Sequence, residues 1–571
     1  MGSIKEWLPK AKEDYEKARH LMDIESAKDP ISEPFKSRYK AASILNQLKE
    51  DLDSFHDSYS EENPLNCAQL ISLLIKIDLG INSMETEEYG IGEKYLTSAL
   101  TLIDNLYADN QSLVLFKCII LNQLAYLWCS RGEYETAVQL LTQAESAYFS
   151  WSVFEDRNEQ TIGLMDAFDL NPLESCRNGN AVDAVEKTHT QTLYFLAQAY
   201  EKLDKGDKSA EYCKRTLKRQ YESKDFDAID WSLHTATLSQ YFAAKNDFLT
   251  AKHLIACARF VLKHHISNFG DEDERLKRAK ADVARICVKY CLMLLEASQN
   301  KTIASESESG LETEPFLLND NEVYTMQNTM KSSSVENFDQ ARTVFLQAQS
   351  WLNEAKDYYV LDEHASDNVE CVQDSSKLYR LLSHFETDSD RKYKMLKRRA
   401  NLLENLLKEI NADYFLNQSR QMTFELGEIY SEMTDIKIVE TNDKSDAELV
   451  MLVKKVNGLI FKAIKYFNSF IDSFRDKTVK ELPSTFENEI VRPMMVAYFS
   501  IGRLYSKLYT SEPKDQIKNW NACEQYYKKV VAYIERNPSQ KELVREELTL
   551  VEEMLQLIPG KLALLLNSTT E

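Results

Sequence analysis

An all-α repeat fold is what this 571-residue sequence predicts, on three observations. Glycine and proline are scarce, with 14 and 11 residues, roughly a third of ordinary usage. Strands need tight turns and turns need those two residues, so their scarcity points to long helices with few sharp reversals. Apolar residues make up 43% of the chain, enough for an extensive core, and recur at helical spacing. A helix-pair pattern also recurs along the first half of the chain.

The clearest copy is LNQLAYLWCSRGEYETAVQLLTQAESAY. Taking Ala125 as origin, Leu124 precedes it, and Trp128, Gly132, Ala137, Leu141 and Ala144 follow at offsets 3, 7, 12, 16 and 19. This is the spacing of the tetratricopeptide (TPR) helix pair. Small residues at the origin and at the twelfth offset let two antiparallel helices approach closely, and glycine supplies the turn. From Gly80 the same phase gives Leu79, Gly92, Leu96 and Ala99. From Ala197 it gives Leu196, Tyr200, Ser209, Cys213 and Thr216, and from Ser239 it gives Leu238, Phe242, Ala251, Ile255 and Ala258. Half-matches follow at Leu426-Gly427 with Tyr430 and at Ile501-Gly502 with Tyr505. Their partner helices are expected, after insertions, at 450–474 and 519–536.

Loops are expected at 152–188 and 475–490. Residues 274–298 read as one long helix, and the Ser- and Glu-rich 299–335 as a flexible, solvated loop. These divide the chain into a TPR-like N-terminal half (1–273), the linker helix (274–298), the loop (299–335) and a TPR-like C-terminal half (336–571).

A net charge of −22 disfavours nucleic acid, which demands a cationic surface. It suits a basic protein partner reached by fast, salt-sensitive association. The ten cysteines fall mostly in apolar helical stretches without a CxxC pair. Cys287 and Cys291 are one turn apart with no histidine close in sequence, so no metal site is expected and reduced thiols are. The charged N-terminus lacks a secretory apolar core, Glu6 stands where a myristoylation signal wants Ser or Thr, and no membrane span is expected.

Neither a P-loop nor a dinucleotide-binding glycine motif is present, nor HExxH or GxSxG. His264-His265 reads as a solvated helix end. No catalytic constellation stands out, and neither enzyme activity nor a cofactor is expected. The basic run RKYKMLKRR (391–399) reads as the polar face of a helix, with Tyr393, Met395 and Leu396 turned inward.

Helix geometry selects a binding surface. With Leu196, Ala197 and Tyr200 on one face, Phe195 and Gln198 project from the other, and Thr237 and Gln240 fill the same two slots one repeat later. Such slots line the binding groove of repeat arrays. The slots before the four origins hold Asp78, Gln123, Phe195 and Thr237. A co-chaperone clamp for an acidic C-terminal peptide would need Lys and Asn there. That adaptor class remains the alternative reading.

Several segments resemble the KIF-binding protein family of kinesin-binding TPR proteins: EPFKSRYKA (33–41), METEE (84–88), LYFLAQAY (193–200), TLKRQ (216–220), ATLSQ (236–240), FETD (385–388), KMLKRR (394–399) and VRPMM (491–495). The resemblance implies a right-handed α-solenoid in two TPR-like halves joined by a long linker helix. It implies a cytoplasmic, cytoskeleton-associated protein that grips kinesin motor domains on their microtubule-binding side. Such a protein competes with microtubules for the motor and so regulates transport, axonal microtubule organisation and outgrowth. By resemblance Gln198, Gln220 and Thr237 match polar members of the family's binding patch, and Phe195 stands where a tyrosine is usual. Gln240 comes from helix geometry alone.

Overall fold

The helix-pair pattern becomes physical at its turns. In the computed structural model, described over residues 4–55, 67–107, 111–153, 155, 157–172, 180–270, 273–301, 317–440, 446–476 and 478–567, the ordered elements are helical and no strand occurs among the described residues. Packing divides the chain into two units, Met1–Asp227 and Ala228–Glu571. This boundary falls earlier in the chain than the junction expected at 274–298. The long helix expected there is present as Glu274–Gln299 and packs inside the second unit.

The first unit contains α1 (Ile4–His20), α2 (Lys36–Asp53), α3 (Cys67–Glu85), α4 (Tyr89–Tyr107), α5 (Val114–Ser130), α6 (Tyr134–Ser152), α7 (Asn180–Lys202) and α8 (Gly206–Ser223). The second contains α9 (Ala228–Ala244), α10 (Phe248–Phe269), α11 (Glu274–Gln299), α12 (Asn321–Asn328), α13 (Phe338–Tyr358), α14 (Ala365–His384), α15 (Ser389–Glu409), α16 (Leu416–Val439), α17 (Asp446–Asp472), α18 (Asn488–Ser506), α19 (Pro513–Arg536) and α20 (Arg545–Asn567).

All four complete matches are antiparallel helix pairs: α3/α4, α5/α6, α7/α8 and α9/α10. Each turns through a left-handed residue at the seventh offset, namely Glu87 (φ 64°), Gly132 (82°), Asp204 (55°) and Asn246 (63°). In each, the next amide reaches back to a carbonyl of the last helical turn: Glu88 N to Ser83 O at 2.8 Å, and Glu133 to Trp128, Lys205 to Tyr200 and Asp247 to Phe242 at 2.9 Å. This is the Schellman closure of a helix end. The glycine origins are steric necessities. A Cβ on Gly80 would sit 2.7 Å from Leu96, and one on Gly502 would sit 2.6 Å from the Tyr527 ring. The half-matches are therefore genuine pairs, α16/α17 and α18/α19, each with its connecting insertion.

Two loop expectations are corrected in part. Within 152–188, the loop expectation holds for most of the described 153–172, apart from the short helix Arg157–Gln160, and fails for 180–188, which is helical; residues 154, 156 and 173–179 lie outside the described set. Met165–Phe168 forms a 3-10 turn, and α7 begins at Asn180. Ile162, Ala167 and Phe168 are buried, with the Phe168 ring 5.1 Å from that of Tyr15. Their burial outweighs the polar composition around them. Of 299–335, residues 302–316 lie outside the described set, while 317–335 carries α12 and buries Leu317, Leu318, Val323, Met330 and Val335. His253 of α10 fastens this segment: its Nδ1 lies 2.8 Å from Gln327 Oε1, and its Nε2 accepts from the Leu317 amide at 3.2 Å.

In the first unit, α3 is buried nearly all round. The segments Cys67–Glu85 and Gln111–Ser130 are, by length and composition alone, long and apolar enough for a membrane span. Yet 78% and 67% of them, respectively, is buried within the protein.

Candidate functional site

The α7 helix turns Leu196, Ala197 and Tyr200 inward against α5 and α6. This leaves Gln198 exposed and Phe195 half-buried on the opposite face, as the helical phase requires. The Gln198 amide donates to the Tyr194 hydroxyl at 2.7 Å. The Phe195 ring lies 5.9 Å from that of Tyr194 and 6.1 Å from that of Tyr126 on α5. Tyr126 and Tyr194 are 46% and 43% exposed, so Tyr126, Tyr194, Phe195 and Gln198 form an uncharged polar-aromatic patch. Tyr126 was missed by the sequence reading although it occupies, after Ala125, the slot that Gln198 occupies after Ala197. The rule that selected Gln198 and Gln240 selects it as well.

Gln220 lies in the last turn of α8 and is half-buried. Among the described residues no hydrogen bond joins it to Phe195 or Gln198. Its neighbour Arg219 locks the helix in place. The guanidinium pairs with Glu186, donates to the Tyr148 hydroxyl and to Thr190 Oγ1 at 3.2 Å each, and lies 5.2 Å from the Tyr148 ring centre. On Tyr148 the His189 ring stacks at 3.6 Å, the two planes nearly parallel at 4°. Burial, followed by the charges of Arg219 and Arg215, pushes the His189 imidazole down to about 3.

Thr237 and Gln240 belong to the second unit. Thr237 is exposed, its hydroxyl donating to Leu233 O of its own helix at 2.8 Å, and Gln240 is half-buried. Thr237 borders a cleft of about 270 Å³ shared with Leu233, Asp282, Arg285, Ile286 and Lys289. Arg285 donates to Asp367 at 2.5 Å, pairs with Glu370, and lies over the Tyr359 ring, whose hydroxyl donates to Asp282 at 2.5 Å. These charged residues were not singled out by the sequence reading. Their signal is the spacing Asp282, Arg285, Lys289, one stripe on a helix otherwise rich in buried apolar residues.

Asp78, the first of the groove slots, is closed. It is buried under α1, accepting from the Tyr15 hydroxyl at 2.6 Å and from Arg19 at 3.0 Å. Burial pushes its carboxyl up, against the pull of Arg19. Among the described residues no cluster of three or more metal-ligating side chains is found.

The family model described as KIF-1 binding protein C terminal matches residues 229–565. The KIF-binding protein of Gallus gallus is 34% identical over 586 residues, covering 96% of both chains. The chain belongs to the KIF-binding protein family. The Homo sapiens KIF-binding protein is 31% identical, covering 96% of this chain and 97% of its own. That of Drosophila melanogaster is also 31% identical, covering 98% and 97%. A solved cryo-EM structure of the KIFBP core is 25% identical, covers 51% of this chain and 92% of that one, and has a TM-score of 0.35. Family membership extends through both units, so the patch on α7 and the cleft beside Thr237 lie on a family scaffold.

Proposed function

We propose that this protein binds kinesin motor domains on their microtubule-binding side and so regulates motor attachment and transport in the cytoplasm. The supporting observation is that the relatives it matches over 96% of its length are KIF-binding proteins. A binding family on a helical repeat scaffold is the setting of an adaptor rather than of an enzyme. Phe195, Gln198 and Gln220 on the first unit, with Thr237 and Gln240 on the second, are the contact residues we assign. Tyr126 and Tyr194 extend their aromatic part. A motor must present basic residues to acidic tubulin, and a chain of net charge −22 competes for that same face.

The test is co-sedimentation of a panel of kinesin motor domains with microtubules, with and without this protein in excess. Motors should move from the pellet into an equimolar soluble complex. Motors that pellet unchanged beside a large excess, across the whole panel, would overturn the proposal. With a motor that responds, Phe195→Ala combined with Gln198→Ala should weaken binding about tenfold or more, and Gln198→Ala alone, at an exposed position, should weaken it without changing the melting temperature.

A further inference from the structure

The last described helix, α20, is amphipathic in an unusual way. One face is buried, with Leu548, Val551 and Ile558 at 4%, 0% and 0% exposure. The other carries Leu550, Leu557 and Leu564 at 48%, 66% and 69%. These three stand at steps of seven, the interval that keeps side chains in one row along a helix that packs against another. Flanking the row are exposed Glu553, Gly560 and Lys561 and the half-buried Met554. Neither Glu553 nor Lys561 enters an ion pair among the described residues. A Cβ on Gly560 would meet nothing within 4 Å, so there is open space at that point of the face.

The arrangement is self-complementary about Leu557. Against an antiparallel copy centred there, Leu550 meets Leu564 and Leu557 meets itself. Glu553 then meets Lys561, and Met554 meets the gap at Gly560. A parallel copy in register would instead set Glu553 against Glu553 and Lys561 against Lys561, which is repulsive. We propose that this face of α20 joins two copies of the chain about a twofold axis at Leu557, an isologous contact. Three exposed leucines fall well short of the roughly 800 Å² per partner of a standard stable interface, so the contact is weak and concentration-dependent.

Sedimentation velocity of the full chain from about 1 to about 200 µM tests this, the span over which a micromolar dimer forms. The weight-average mass should climb from one chain toward two. Leu557→Glu, an exposed substitution, should hold the protein monomeric throughout with an unchanged circular-dichroism melt. Glu553→Lys should weaken association about fivefold, because each dimer contains two such pairs. Adding Lys561→Glu should restore it, a rescue that another register or a parallel contact would not give. A wild-type chain monomeric to the top of the range, unaltered association in Leu557→Glu, or no rescue in the double variant would each overturn the proposal.

Discussion

His189 and Gly502 show how much a single side chain, or its absence, decides. The fold keeps the His189 ring neutral down to about 3 by burying it against Tyr148 beside Arg219. An unfolded histidine takes up its proton near the ordinary value of 6.5. Above that value the residue contributes no pH dependence. As pH falls from 6.5 toward 3 the unfolded chain gains a proton that the folded one does not, and stability declines by up to about 1.4 kcal/mol per pH unit. Urea midpoints across that range should therefore fall more steeply for the wild type than for His189→Phe, which retains the stack without the titration. Gly502 acts by having no side chain. Because its Cβ would sit 2.6 Å from the fully buried Tyr527 ring, Gly502→Ala should destabilise the second unit by about 1–3 kcal/mol. Gly458→Ala, where a Cβ meets nothing within 4 Å, should be neutral or slightly stabilising in the same urea titration.

At the scale of elements, four helix pairs share one turn geometry while only Gly132 supplies the residue best suited to it. Glu87, Asp204 and Asn246 hold the left-handed conformation at some expense in side-chain sterics. Asp204→Gly should raise stability by about 1 kcal/mol and Gly132→Ala should lower it by a similar amount, read from chemical denaturation. The pairs were legible in the sequence because spacing between small and large residues is a packing constraint, and packing leaves a periodic trace. The turns were only half legible, since a backbone closed by its own amides accepts several residue types. The burial of residues within 161–168 and the order of 317–335 were not legible for a related reason. Their order comes from a few apolar residues, Ile162, Phe168, Leu317 and Val323, and from the grip of His253, none of which repeats. Of the candidate site, Phe195 and Gln198 followed from helical phase. The cleft beside Thr237 did not, because α11 joins α9 by a contact between helices distant in sequence.

For the whole molecule, the dominant quantity is charge. With a net −22, association with a basic motor surface should be steered from a distance. Raising salt from about 50 to 300 mM should slow association several-fold while changing dissociation less, measured by stopped flow. Net charge is legible in the sequence because it needs no fold. The same could not be said of α3, whose covering only the structure reveals. That helix packs on one side against α2, made before it, and on others against α4 and the Met165–Phe168 turn, made later. At about 5–20 residues per second a ribosome needs several seconds to travel from the first to the last. During that interval a greasy nineteen-residue helix waits half-clothed in the crowded space outside the exit tunnel. Birth order thus leaves this chain a window of dependence on holdase chaperones, and nascent chains stalled near residue 150 should be captured by them more strongly than chains stalled past residue 230.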